Sequence, residues 1–130
     1  MFKIEPLCDA EAAKKIANDA GVEYKEGYFF YHMYELDSGK TLGHAQFEIL
    51  GKEGYIFSLT PHPGIEDFEA MFILARQTMN FLEGCGANEC YANPEIDNSL
   101  LKAVGFSATD GKFYCNTKGM FDGHCGCKKG

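Results

Sequence analysis

Three side chains capable of proton chemistry or hydrogen bonding recur at every second position of the stretch TLGHAQFEIL: His44, Gln46 and Glu48. In a β-strand that spacing places all three on one face. A histidine and a carboxylate on one strand face can share a water and act together as a general base, which makes His44 and Glu48 the candidate catalytic pair. The competing expectation is a half-buried strand, with Gly43, Ala45, Phe47 and Ile49 turned inward and the polar set solvated. A second cluster, HCGC at residues 124–127, puts one imidazole and two thiols within four residues. His124, Cys125 and Cys127 suit a soft metal such as zinc or iron, with a fourth ligand from Cys115, Cys8 or water. The C-x-C spacing is shorter than the usual C-x2-C knuckle, and an incidental terminal cysteine pair is the alternative. Lys128 and Lys129 would lower the thiol pKa and make such a tail redox-responsive.

A third feature is a contradiction. In LTPHPGIEDFEAMF, residues 59–72, an apolar strand gives way to a helical pattern. A helix N-terminus after a strand presents free N–H groups and a positive dipole end, the natural setting for a phosphate. This junction carries Glu66, Asp67 and Glu69 instead. They are either ordinary helix-start acids or an acidic pocket for an amine or cation. His62, between two prolines, lies in the same loop without a partner in sequence.

The elements that must position these groups follow from periodicity. Phe2 opens a short strand, and Asp9 caps a helix whose apolar face is Ala10, Ala13, Ile16, Ala17 and Ala20. YFFYHMYEL, TLGHAQFEIL and YIFSLT are three strands joined by the turns DSGK and GKEG, which predicts an antiparallel meander. The strongest helix spans 66–83, with Phe68, Met71, Phe72, Ala75, Met79 and Leu82 on its apolar stripe. ANECYAN is then a strand, and the crossover length makes it parallel to YIFSLT. Asp97 caps the short helix NSLLKAV, and KFYCNTKGMF is one final strand. Residues 1–122 read as the domain and 123–130 as a small, polar, cysteine-rich tail.

Composition narrows the function classes. The 130 residues are 45% hydrophobic, enough for one globular domain. Net charge is −7, and Arg76 is the one arginine, so there is no basic stripe to bind nucleic acid or an anionic membrane. The apolar runs are too short to cross a bilayer, and the first residues carry no long apolar export segment. The expected compartment is the cytoplasm, with the six cysteines reduced.

The ordered combination of elements resembles the GNAT superfamily of acyl-CoA-dependent N-acetyltransferases. The resemblance rests on LGHAQFEI in the third strand, FSLTP in the fourth and DNSLLKAVGF before the last strands. It covers nearly all the chain, with one helix near the N-terminus in place of the usual pair. It implies an α+β fold: a mixed, mainly antiparallel sheet, helices on both faces and a splayed parallel strand pair. It also implies acetyl-CoA as cofactor, its pantetheine arm lying along Ser58, Leu59 and Thr60, and a small-molecule or peptide amine as acceptor. A homodimer stays open. Two positions depart from the family pattern. The family's pyrophosphate loop, R/Q-x-x-G-x-G/A, would place its arginine on Gly64 and glycines on Ile65, Asp67 and Glu69. Its general-acid tyrosine would fall on Leu101, which transfers no proton. The alternatives to an acetyltransferase are a non-catalytic module of the same fold that binds a small ligand or peptide, and a metal- or thiol-responsive protein acting through the tail.

Overall fold

A computed structural model describes residues 1–118. The chain runs β1 (Phe2–Pro6), α1 (Ala10–Asp19), β2 (Phe29–Glu35), β3 (Thr41–Leu50), β4 (Glu53–Pro61), α2 (Phe68–Gly84), β5 (Glu89–Ala92), α3 (Asn98–Ala103), β6 (Ser107–Thr109) and β7 (Lys112–Asn116). All seven strands form one sheet in the order β1-β2-β3-β4-β5-β7-β6. Every neighbouring pair is antiparallel except β4 and β5. The expected meander and the parallel crossover around α2 are both present.

Helices cover the two faces unequally. On one face α2 and α3 bury Met33, Ala45, Phe47, Ile56 and Leu59 of the sheet against Leu74, Met79, Leu82, Leu100 and Leu101. On the other, Ala13 and Ala17 of α1 pack on Phe30 in a small separate cluster. The caps follow the sequence. The Asp9 carboxylate accepts from the N–H of Glu11 and Ala12, and Asp97 accepts from that of Ser99.

Gly43 explains its own place in the third strand. A Cβ there would sit 2.9 Å from the Thr60 carbonyl oxygen and 3.0 Å from Met71 Sδ. No side chain fits where β4 and α2 approach that closely.

Three expectations need correction. The helix α2 begins at Phe68 because Asp67 is its N-cap, not an interior residue. Its buried face is Ala70, Met71, Leu74, Ala75, Thr78, Met79 and Leu82. Phe68 is therefore 51% exposed and Phe72 only half-buried. The final strand is present as β7, but a further short strand precedes it: β6 pairs with β7 through Asp110 and Gly111, both at positive φ. That is the backbone of a two-residue turn, and the Asp-Gly dipeptide signals it. Finally, the polar face of β3 is not solvated at His44 and Gln46, which are as buried as Ala45 and Phe47, while Glu48 is half-buried.

Shortening a side chain on the buried face of α2 leaves a cavity under the sheet, whereas the Phe68 ring stands outside it. Leu82→Ala should cost about 2–5 kcal/mol and Phe68→Ala under about 1 kcal/mol, read from urea unfolding. A larger loss at Phe68 would put the wrong face of α2 on the sheet.

Candidate functional site

The parallel pairing of β4 with β5 runs from Glu53↔Glu89 to Ile56↔Ala92 and stops. β4 continues to Pro61, so from Phe57 onward one of its edges has no partner strand. Two features produce the separation. Phe57 is an extra residue in β4: Gln46 faces Ser58 while Phe47 faces Ile56. Such a bulge bends the strand and raises its twist. Asn93 then ends β5, its backbone N–H donating to the Ile56 carbonyl at 2.9 Å and its side-chain amide to the Phe57 carbonyl at 3.1 Å. Sequence reading passed over Asn93, although the Asn-Pro dipeptide after a strand marks a chain reversal.

The expected cofactor residues Ser58, Leu59 and Thr60 lie on this open stretch. Leu59 faces a cleft of about 400 Å³ on the α2 side, walled by Pro61, Phe68, Met71 and Leu100. Ser58 and Thr60 face a second cleft, of about 380 Å³, on the α1 side beside Val22, Phe57 and Asn93. The opened edge of β4 therefore separates two cavities of ligand size.

On the α2 side the anion position is already taken. The Asp67 carboxylate accepts from the backbone N–H of Ala70 at 3.0 Å, so a carboxylate of the chain itself caps the helix N-terminus. Glu66 and Asp97 line the same cleft, while Glu69 does not. The helix-start reading of these acids is the one the geometry displays. Leu101 is fully buried in the core and reaches neither cleft.

On the α1 side a buried polar group replaces the expected wet face. Gln46 donates from Nε2 to Ser58 Oγ at 2.9 Å and to the Glu23 carbonyl at 3.0 Å, while its Oε1 accepts from the Lys25 N–H at 2.8 Å. His44 Nε2 lies 3.1 Å from Ser58 Oγ, and its ring stacks on Phe30 with centroids 5.0 Å apart. Because Ser58 Oγ accepts from Gln46, its own hydrogen is available to His44 Nε2. The segment after α1 thus closes over this face, which is why the alternation of β3 hides His44 and Gln46. Glu48 goes elsewhere, accepting from the Tyr28 hydroxyl at 3.0 Å. His44 and Glu48 share a face but not a hydrogen-bonding group.

The remaining candidates divide in two. His62 sits at the end of β4 with its Nδ1 buried and unpartnered among the described residues. His124, Cys125 and Cys127 lie outside the described residues. Cys115 is buried on β7 opposite Cys90, and burial raises its thiol pKa. Among the described residues no group of three or more His, Cys, Asp or Glu is placed to hold a metal ion. No helix there is long and apolar enough to cross a membrane.

The strand order, the parallel pair that parts at a bulge and the long helix following β4 together make a GNAT fold. Solved structures agree. The ribosomal-protein-S18-alanine N-acetyltransferase from Escherichia coli matches with a TM-score of 0.65 at 19% identity, over 89% of this chain and 90% of that one. A GNAT family acetyltransferase from Brucella melitensis, in complex with acetyl-CoA, matches at 0.68 and 18%, over 89% and 88%. The NatC complex bound to Gag peptide and CoA contains a chain matching at 0.69 and 16%, over 88% and 98%. At these identities the shared property is the fold. No family model matches the chain, and no curated protein does.

The polar group carries a pH dependence. Burial first, then the nearby His62 and His32, push the His44 pKa from 6.5 down to about 4. A histidine depressed in the folded state stabilises fully above its unfolded pKa and loses that contribution as pH falls. Unfolding free energy should therefore drop by about 3 kcal/mol between roughly pH 6.5 and pH 4, and His44→Asn should flatten the profile. An imidazole titration by NMR placing His44 at its ordinary value would contradict the assignment.

Proposed function

We propose that this chain takes a thioester donor along the open edge of β4 and transfers its acyl group to an amine entering from the α1 side. The observation that carries the reading is the unpaired stretch from Phe57 to Pro61 with a cavity on each face of the sheet. Strand edges recruit extended chains through their unpaired N–H and carbonyl groups, and the two amides of a pantetheine arm make such a chain. The GNAT fold and neighbours solved with CoA or acetyl-CoA support the same donor class.

The fit to acetyl-CoA is divided. The apolar walls Leu59, Pro61, Phe68 and Met71 suit the arm. The diphosphate does not fit, because Asp67 occupies the helix N-terminus and Glu66 and Asp97 add negative charge beside it. A nucleotide-free thioester meets none of that repulsion.

At the acceptor side, Ser58 lines the cavity and His44 stands behind it. His44, neutral at neutral pH, can receive a proton at Nε2 through the Ser58 hydroxyl, and Gln46 holds that hydroxyl in place. Leu101 supplies no general acid, and this favours a second reading: a binding module that holds a thioester or a peptide in the same cleft without turnover.

Acetyl-CoA should bind with a Kd of roughly 100 μM or weaker, since each lost phosphate contact costs about 1–3 kcal/mol. S-acetyl-N-acetylcysteamine, which has no phosphate, should be unaffected by changes at Asp67. Asp67→Ser keeps a helix cap and removes one charge, so acetyl-CoA affinity should rise about fivefold. Low-micromolar acetyl-CoA binding to the unmodified chain would refute the exclusion of the diphosphate by Asp67, Glu66 and Asp97. Binding of the short thioester without amine acylation would select the second reading.

A further inference from the structure

A further cleft belongs neither to the proposed donor position nor to the His44 group. It is a cleft of about 550 Å³ over the sheet face that α1 leaves uncovered, between the end of β3 and the β6–β7 turn. Tyr55 of β4 and Tyr91 of β5 stand side by side in register on that face, with Leu50 and Pro94 at the ends. Tyr114 of β7 extends the row, its ring 5.4 Å from that of Tyr91. Glu48 and Glu53 form the acidic wall and Lys112 stands among the lining residues.

The ion pairs Lys3–Glu5 and Lys15–Asp19 engage other carboxylates, and neither Glu48 nor Glu53 has a lysine within bridging distance among the described residues. Glu48 accepts one hydrogen bond, from Tyr28, through Oε2. Aromatic faces beside uncompensated carboxylates attract a cation through the ring quadrupole and the opposite charge together.

We propose that this tyrosine-floored cleft binds the positively charged second group of the acceptor, an alkylammonium or guanidinium held between Glu48 and Glu53 over Tyr55 and Tyr91. The proposal rests on the acyl-transfer reading for the word acceptor, and on the cleft alone for the cation. Tyrosine ionisation is consistent with a negative local potential. Tyr55 is raised by burial and then by Glu95 and Glu48, and Tyr28 is raised to about 12 by burial and then by its bond to Glu48. Spacing narrows the ligand further. Tyr55 lies two residues, about 7 Å, before the bulge at Phe57, a distance that roughly six bonds of an extended chain span. The acceptor is thus a molecule whose cationic group stands about that far from the amine to be acylated.

The test is calorimetry on the full chain at low salt, without thioester, using 1,5-diaminopentane, agmatine and choline as probes. At least one should bind, and the strongest identifies the cation as alkylammonium, guanidinium or quaternary. In the Glu48→Gln/Glu53→Gln variant, checked for folding by circular dichroism, affinity for that probe should fall about tenfold or more, and added salt should weaken wild-type binding. Lys112→Gln should tighten it. NMR shifts should centre on Tyr55 and Tyr91. Binding by none of the three, unchanged affinity in the double variant, or shifts centred elsewhere each overturn the proposal. The two readings fail separately. A chain that binds the diamine but no thioester keeps this site and loses the acyl-transfer function; one that acylates simple amines but ignores all three cations does the reverse.

Discussion

Asn93 decides where the sheet comes apart. Its two hydrogen bonds, to the carbonyls of Ile56 and Phe57, close the parallel ladder at the residue where β4 gains its extra member. Without that anchor the freed β4 carbonyls would invite β5 to continue pairing, since an open edge is a template for another strand. With it, β4 and β5 part, Leu59 turns to one cavity and Ser58 and Thr60 to another. The helix α2 depends on the same event, because its N-terminus can flank a cleft only if no strand fills the space beside Pro61.

The other constraint is buried polarity. His44, Gln46 and Ser58 sit in a sheet interior where an unmet donor or acceptor costs about 1–3 kcal/mol. They meet one another and the backbone of Glu23 and Lys25, so the segment following α1 is held by side-chain bonds from β3. One glutamine, bonding at both ends of its amide, ties a loop to the sheet and orients a hydroxyl facing the cavity. The two clefts flanking β4 therefore differ in kind. One is walled by apolar side chains with carboxylates at its rim, the other backed by a neutral hydrogen-bonded group.

Much of the architecture was legible because it is written locally. The caps Asp9 and Asp97, the turns around Gly39 and Gly51, and the crossover length each depend on neighbours in sequence. The acid at the phosphate position was legible for the same reason: Asp67 lies three residues before the N–H it accepts from. What was not legible depends on distant parts of the chain. The polar alternation of β3 gives no sign of what covers it, and the cover comes from residues some twenty positions upstream. The stripe of α2 was misplaced at Phe68 because large aromatic side chains dominate a periodicity reading, while Leu74 and Thr78, in register with the true face, carry less weight. The β6–β7 hairpin was written in Asp110-Gly111 and passed over. The row Tyr55, Tyr91 and Tyr114 comes from three strands and exists only once their register is known.

The opposed thiols of Cys90 and Cys115 have a practical consequence. Both lie under α2 at the centre of the β5–β7 pairing, and burial raises both pKa values, that of Cys90 to about 12. The nucleophilic thiolate is thus scarce at neutral pH and out of reach of a reagent, whereas Cys8 and Cys85 are exposed. An alkylating reagent mapped residue by residue would consequently act as a clock for the sheet. Labels at Cys8 and Cys85 record exposure of the folded surface, and labels at Cys90 and Cys115 record how often the β5–β7 arm opens.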